Sequence, residues 1–393
     1  MGKVMPLEGN NAVAEAMRQI NPDVVAAYPI TPSTEIVQTF AKFVADGKVK
    51  TNFVAVESEH SAMSACTAAA AAGGRVMNAT SANGLALMWE ILYITASLRQ
   101  PVVLTVVNRA LSGNINIHCD HSDAMGARDA GWIQLYAENA QEAYDNCIQA
   151  VAIGERLDVR LPVMNCLDGF FVSHAYELVE VEDDQAVADW VGPYKPVNPL
   201  LDIEHPFTMG PLDLWDFYFE HKRNELEAYP AAKRAVIEEG KRFGAAFGRE
   251  YGLMECVELE DAEVAVVALG STAGMCKDVV ADLREKGVKA GLLKLRCFRP
   301  FPAEEIVAAL KNCKAVAVLD RAASYGAAAG PLYLEVTSAL YTQRADVPCT
   351  NVIYGLGGRE IRPEQIAGIY ASLQDIKSSG QPAHPVSFVG VRE

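Results

Sequence analysis

Apolar runs alternate with helical stretches through the first 175 residues. Runs rich in branched and aromatic residues predict strands at 23–30 (DVVAAYPI), 51–57 (TNFVAVE), 75–80 (RVMNAT), 102–108 (VVLTVVN) and 160–166 (RLPVMNC). One intervening helical stretch, 61–74 (SAMSACTAAAAAGG), is nearly all Ala, Ser and Gly, so it can lie very close to a sheet. Alternating β and α elements imply a doubly wound parallel sheet. Residues 187–262 break the pattern. Five prolines fall between Pro193 and Pro211, aromatics cluster at Trp215, Phe217, Tyr218 and Phe219, and a helix is expected over 231–247. A free linker would not carry so many aromatics, so this segment reads as a connector packed on a domain surface or a partner. The βα order resumes with strands expected at 263–271, 290–298, 315–322 and 350–358 and helices at 273–286 and 303–311. The expected division is 1–186, 187–262 and 263–393, with a smaller α/β unit last.

Composition narrows the class. The chain has 393 residues, more than one ordinary core accommodates. Half are hydrophobic and 21% charged, which reads as soluble and globular. A net charge of −16 argues against nucleic acid and anionic membranes as partners, but not against an anionic substrate held by one buried Arg. No apolar stretch reaches the length of a spanning helix, and MGKVMPLEGN lacks a signal core, so a cytoplasmic protein is expected. The nine cysteines are scattered with no C-x-x-C pair, which argues against disulfides and against an iron–sulfur cluster on this chain.

Common motifs are absent. There is no Walker loop, no G-x-G-x-x-G after a strand and no G-x-S-x-G elbow. The clusters Gly270/Gly274 and Gly355/Gly357/Gly358 read as strand-to-helix turns. The run His118-Cys119-Asp120-His121-Ser122-Asp123 is rich in metal-ligand types. Consecutive residues point in different directions, however, so a polar loop with its acids tied to backbone amides is the better reading.

The chemistry gathers at strand ends. In a parallel α/β sheet the carboxyl ends share one edge, where ligands bind. The four N-terminal strands run into Thr31, into Ser58-Glu59, into Ser81 and Asn83, and into Arg109. Arg109 would pair bidentately with an anion; the alternative is a salt bridge to a neighbouring acid. Glu59, after the N-cap candidate Ser58, would feel opposed effects of helix dipole and burial and so could give or take a proton. The alternative is a first-turn Glu that complements the dipole. Pro29 and Pro32 stiffen the chain around Thr31, whose alternative, shared with Ser33, is a helix cap.

The segments AAYPITPSTEIV (26–37), VESEHSAMSA (56–65), ATSANGLALM (79–88) and NRALSGNINIHCDHSDAM (108–125) resemble the alpha chain of pyruvate:ferredoxin oxidoreductases. These are thiamine-diphosphate-dependent 2-oxoacid:ferredoxin oxidoreductases. WIQLYAENAQEAYD (132–145), HPFTMGPLDLWDFYFEHKR (205–223) and FRPFP (298–302) extend the resemblance over essentially the whole chain. It implies a pyrimidine-binding domain followed by a transketolase C-terminal-like domain, and oxidative decarboxylation of pyruvate with coenzyme A to acetyl-CoA, CO2 and reduced ferredoxin. Glu59 matches the glutamate that hydrogen-bonds the aminopyrimidine N1′. Arg109 matches the arginine that pairs with the 2-oxoacid carboxylate, and Thr31 a threonine that hydrogen-bonds substrate. Pro29, Ser81 and Asn83 join Glu59 as cofactor-site residues. No GDG motif is present. The resemblance therefore implies that Mg2+, the diphosphate module and the iron–sulfur clusters lie on partners. These are a GDG-containing subunit, a ferredoxin-like subunit and a gamma-type subunit, with external ferredoxin as acceptor. The alternatives are another 2-oxoacid (branched-chain, aryl or oxalate-like) or a non-catalytic assembly subunit.

Overall fold

The computed structural model describes residues 2–392. In chain order the described strands are β1 (Lys3–Glu8), β2 (Val24–Ala27), β3 (Asn52–Ala55), β4 (Val76–Thr80), β5 (Val103–Asn108), β6 (Ile133–Ala137), β7 (Val163–Asp168) and β8 (Tyr176–Val181). They continue with β9 (Met254–Val257), β10 (Val264–Ala268), β11 (Ala290–Leu295), β12 (Cys297–Arg299), β13 (Ala315–Asp320), β14 (Cys349–Tyr354) and β15 (Val386–Val389). Seven form the sheet β12-β6-β7-β5-β4-β2-β3, six form β15-β14-β13-β10-β11-β9, and β1 pairs with β8.

Every residue of β4, β5, β6 and β7 is buried. Helices cover both faces of this sheet, which is why its strands read as unbroken apolar runs. The helices Gly9–Ile20 and Ala140–Glu155 share one core with Val103, Val107 and Val163. On the other face the Ala-rich helix Glu59–Ala71 seats Ala62, Met63 and Cys66 in a second core. That core runs on without a break into Leu293, Ile306 and Val318 of the C-terminal unit.

The seven-stranded sheet is parallel except for β12, and the six-stranded sheet is parallel except for β9. The single strand expected at 290–298 is instead two. After Leu295 the chain leaves the six-stranded sheet, and Cys297 pairs antiparallel with Leu135 of the other. Arg296 marks the switch: buried, it donates to Asn146 Oδ1 (2.8 Å), Gln149 Oε1 (3.0 Å) and the Gly252 carbonyl (3.1 Å). The apolar pattern could not announce this break, because both halves are equally buried.

The segment 187–262 behaves in three ways. Its helix Tyr229–Phe247 buries Ala232, Ala235, Val236 and Phe243 in the first core. Its end supplies β9 to the second sheet. Its middle lies over the surface, with Trp215 92% and Leu212 88% exposed. No helix among the described residues is long and apolar enough to cross a membrane. All nine cysteines are free.

Candidate active site at the carboxyl edge of the seven-stranded sheet

β5, β4, β2 and β3 are consecutive parallel neighbours, so their carboxyl ends do share one edge. Arg109 follows β5 and is 7% exposed. Its Nε donates to the Asn116 carbonyl (3.1 Å) and its Nη1 to the Thr31 carbonyl (2.9 Å). No carboxylate among the described residues pairs with the guanidinium, which removes the salt-bridge alternative. A buried cation whose side chain meets only two carbonyls keeps donors free for an anion.

Thr31 is brought to Arg109 through its main chain; the side chain is exposed and free to meet a ligand. It does not cap the next helix. Ser33 occupies the N-cap position of the helix Thr34–Ala45, and its hydroxyl donates to the Ile30 carbonyl (2.8 Å). Pro29 is exposed just beyond β2.

Glu59 opens the helix Glu59–Ala71, capped by Ser58, whose Oγ accepts from the Ser61 N–H (3.2 Å). Glu59 is 7% exposed and forms no hydrogen bond or ion pair through its carboxylate with the described residues. Its neighbours Glu57 and His60 turn elsewhere, toward Ser61 and Glu90. Gly84 shapes the pocket. A Cβ there would lie 2.5 Å from Thr80 Oγ1 and 2.8 Å from Glu59 Oε1. Thr80 Oγ1 and Ser81 Oγ are buried without partners. Asn83 is exposed, and its Oδ1 accepts from Ser112 Oγ (3.0 Å). An unpaired carboxylate, two orphaned hydroxyls and a glycine cradle fit a ring that carries both donors and acceptors.

The loop after Arg109 has its acids tied to amides. Asp120 accepts from the Ser122 N–H (3.0 Å) and the Gly357 N–H (3.1 Å). Asp123 accepts from the Ala82 and Arg109 N–H groups, both at 2.9 Å. Ligand-type atoms of Cys119, His121 and Asp168 do cluster. Both Asp168 oxygens are already taken, however: His121 Nε2 lies 2.7 Å from Oδ1, while Arg321 Nη1 (2.8 Å) and Ser271 Oγ (2.6 Å) donate to Oδ2. Burial raises the Asp168 pKa, but the charges of His121 and Arg321 outweigh it and hold the carboxyl well below the usual range. This cluster, with Gly270 and Gly357, joins the carboxyl edges of the two sheets. The second α/β unit thereby buttresses the loop that holds Arg109.

A cavity of about 1130 Å3 lies elsewhere. Arg99 and Arg160, which precede β5 and β7, place it at the opposite edge of the sheet. Arg99 there is spent on the carbonyls of Val159 and Arg160. Volume alone therefore does not mark the site; convergent unpaired groups do.

Residues 15–241 match the family described as "Pyruvate flavodoxin/ferredoxin oxidoreductase, thiamine diP-bdg", and residues 262–366 match "Pyruvate:ferredoxin oxidoreductase core domain II". The pyruvate synthase subunit PorA of Thermotoga maritima is 57% identical over 385 residues, 98% of this chain and 97% of the relative. The chain belongs to the pyruvate:ferredoxin oxidoreductase family. The ketoisovalerate oxidoreductase subunit VorA of Pyrococcus abyssi is 40% identical over 95% of this chain and 94% of the relative. A 2-oxoglutarate:ferredoxin oxidoreductase from Magnetococcus marinus shares the fold, with a TM-score of 0.72 at 19% identity over 94% of this chain. The chain spans 65% of that longer polypeptide. As a pyruvate:ferredoxin oxidoreductase family member, this is a subunit of a thiamine-diphosphate-dependent 2-oxoacid oxidoreductase.

Proposed function

We propose that the chain is the alpha subunit of a pyruvate:ferredoxin oxidoreductase and contributes the pyrimidine-binding half of its active site. The observation that carries this reading is the buried Arg109 guanidinium without a carboxylate partner, on the same sheet edge as the buried, unpaired Glu59. Bound thiamine diphosphate supplies the carbon nucleophile for the 2-oxo group and an electron sink as CO2 leaves. Glu59, at the N-terminus of its helix, would hold a proton against the aminopyrimidine N1′. Arg109 binds the substrate carboxylate bidentately, which fixes the 2-oxo carbon in position. The exposed Thr31 side chain, anchored through its carbonyl to Arg109, donates to the substrate. Ser81 and Asn83 wall the cofactor pocket, and Pro29 stiffens the turn before Thr31.

The remaining parts fall to partners. The chain has no GDG motif, so Mg2+ and the diphosphate belong to a second subunit. Its cysteines suit no cluster, so electrons leave one at a time to iron–sulfur centres on a ferredoxin-like subunit, and then to external ferredoxin. Coenzyme A, engaged with a gamma-type subunit, takes the acetyl group. Exposed apolar residues follow the crevice residues along the chain, Leu87 (50%) and Trp89 (44%) after Asn83 and Ile115 (82%) after Arg109, and support closure of the crevice by another subunit. The setting is cytoplasmic.

Pyruvate is the substrate this reading assigns. A branched 2-oxoacid is the second reading, favoured by the VorA similarity, because one methylene changes discrimination by only about 1–3 kcal/mol. Turnover of a 2-oxoacid panel by the assembled enzyme separates the two. In the same assay Arg109→Ala should raise KM for every 2-oxoacid; an unchanged KM overturns the carboxylate assignment.

A further inference from the structure

We infer that Asp123 is the positioning residue that locks the Arg109 turn and the Ser81–Gly84 turn into one rigid site. The inference rests on the functional reading above and adds to it.

Four donors converge on this one carboxylate. Oδ2 accepts from the N–H groups of Ala82 and Arg109, both at 2.9 Å. Oδ1 accepts from Asn108 Nδ2 (2.8 Å) and from the Ala124 N–H (2.7 Å). Ala82 and Arg109 follow different strands, β4 and β5, and each adjoins a site residue. Ala82 lies between Ser81 and Asn83, with Gly84 and its contact to Glu59 next in line. The Arg109 guanidinium is the anion receptor.

Three further facts show that the contact is built for precision rather than bulk. Asp123 is 3% exposed, so water does not compete for its oxygens. Its burial raises the carboxyl pKa to about 6 even against four donors, a cost that an apolar residue would avoid. Ala82 is held at φ +41°, a left-handed conformation that a non-glycine residue keeps only where its surroundings impose it. The Asp123 oxygen on the Ala82 N–H is one contact that holds it there.

Because three of the four partners are backbone N–H groups that can only donate, an amide cannot satisfy them all. Asn at 123 offers one oxygen and turns an NH2 toward at least one N–H group. The test is Asp123→Asn in the enzyme assembled with its partner subunits. Arg109→Lys and a distant buried-acid lesion, Asp145→Asn, are measured alongside. Asp145 is likewise fully buried and accepts from Arg249 and Tyr251, so it controls for lost stability. Asp123→Asn should raise KM for pyruvate by about tenfold with kcat within about threefold. Asp145→Asn should lower Tm and leave KM alone. Asn108→Leu, which removes one of the four bonds and spares the carboxylate, should raise KM in the same direction by a smaller factor, and it serves if Asp123→Asn fails to assemble. An unchanged KM in both Asp123→Asn and Asn108→Leu, while Arg109→Lys raises it, overturns the positioning role alone. An unchanged KM in Arg109→Lys overturns the underlying assignment of Arg109.

Discussion

Gly84→Ala is the most discriminating substitution in the crevice, because the methyl group should harm the site while its helix gain offsets the crowding and leaves the fold about as stable. Gly84 lies inside the helix Ala82–Leu87 and is absent from the positive-φ residues, so alanine fits its backbone. Gly→Ala in such a helix stabilises by about 0.5–1 kcal/mol. The new Cβ, however, would stand 2.8 Å from Glu59 Oε1, 3.0 Å from Glu59 Cγ and 2.5 Å from Thr80 Oγ1. Ordinary contact for such atoms is about 3.5 Å, so the Glu59 carboxylate must retreat by roughly 0.5–1 Å. Misplacement on that scale costs about 100-fold in rate where a proton must be held at a fixed atom. The assay is pyruvate-dependent reduction of a one-electron acceptor by the assembled enzyme, paired with thermal unfolding of the same preparation. The expected result is kcat lower by about two orders of magnitude with Tm nearly unchanged. A variant with wild-type kcat, or one whose lost activity tracks lost Tm, refutes the reasoning.

Other perturbations separate the remaining parts. Arg109→Lys keeps the charge but loses the fork geometry, so KM for the 2-oxoacid should rise by about tenfold or more while kcat moves less, read in steady-state kinetics. Asp168→Asn leaves Arg321 and His121 buried without their anion, so the chain should lose about 3–5 kcal/mol in denaturant unfolding. The same carboxyl sets an acid limit. Its folded pKa is depressed, so its contribution is present above the unfolded value of about 3.9 and is lost as pH falls below that toward the folded value. Acid unfolding curves of wild type should therefore fall in that range, and those of Asp168→Asn should lack that part of the slope.

The strand ends were legible because buried parallel strands are unbroken apolar runs, and the first polar residue after each run marks the binding edge. That ground marked Arg109 and Glu59 as candidates, while the roles assigned to them came from the family resemblance. Their partners could not. Asp123 reaches Ala82 across 41 residues, and Arg321 reaches Asp168 across 153, separations that no local pattern encodes. Thr31 was legible as a position but not in its mode of attachment, since the carbonyl rather than the hydroxyl meets Arg109. Gly270, Gly355, Gly357 and Gly358 read correctly as turns, whereas Gly274 lies inside the helix Thr272–Glu285. What they press upon emerged only when the two sheet edges were seen together: Gly270 against Asp168, and Gly357 against Asn116. The crossing of Arg296 between sheets was hidden for the opposite reason, because continuous burial leaves no polar punctuation.

The central claim is that Glu59 of this chain activates a thiamine cofactor whose diphosphate is held by another subunit. Hydrogen–deuterium exchange at the C2 carbon of thiamine diphosphate bound to the assembled enzyme, without substrate, reads that step directly. Glu59→Gln should slow the exchange by about 100-fold or more relative to wild type while the cofactor stays bound. Exchange at the wild-type rate in the Glu59→Gln enzyme would contradict the account.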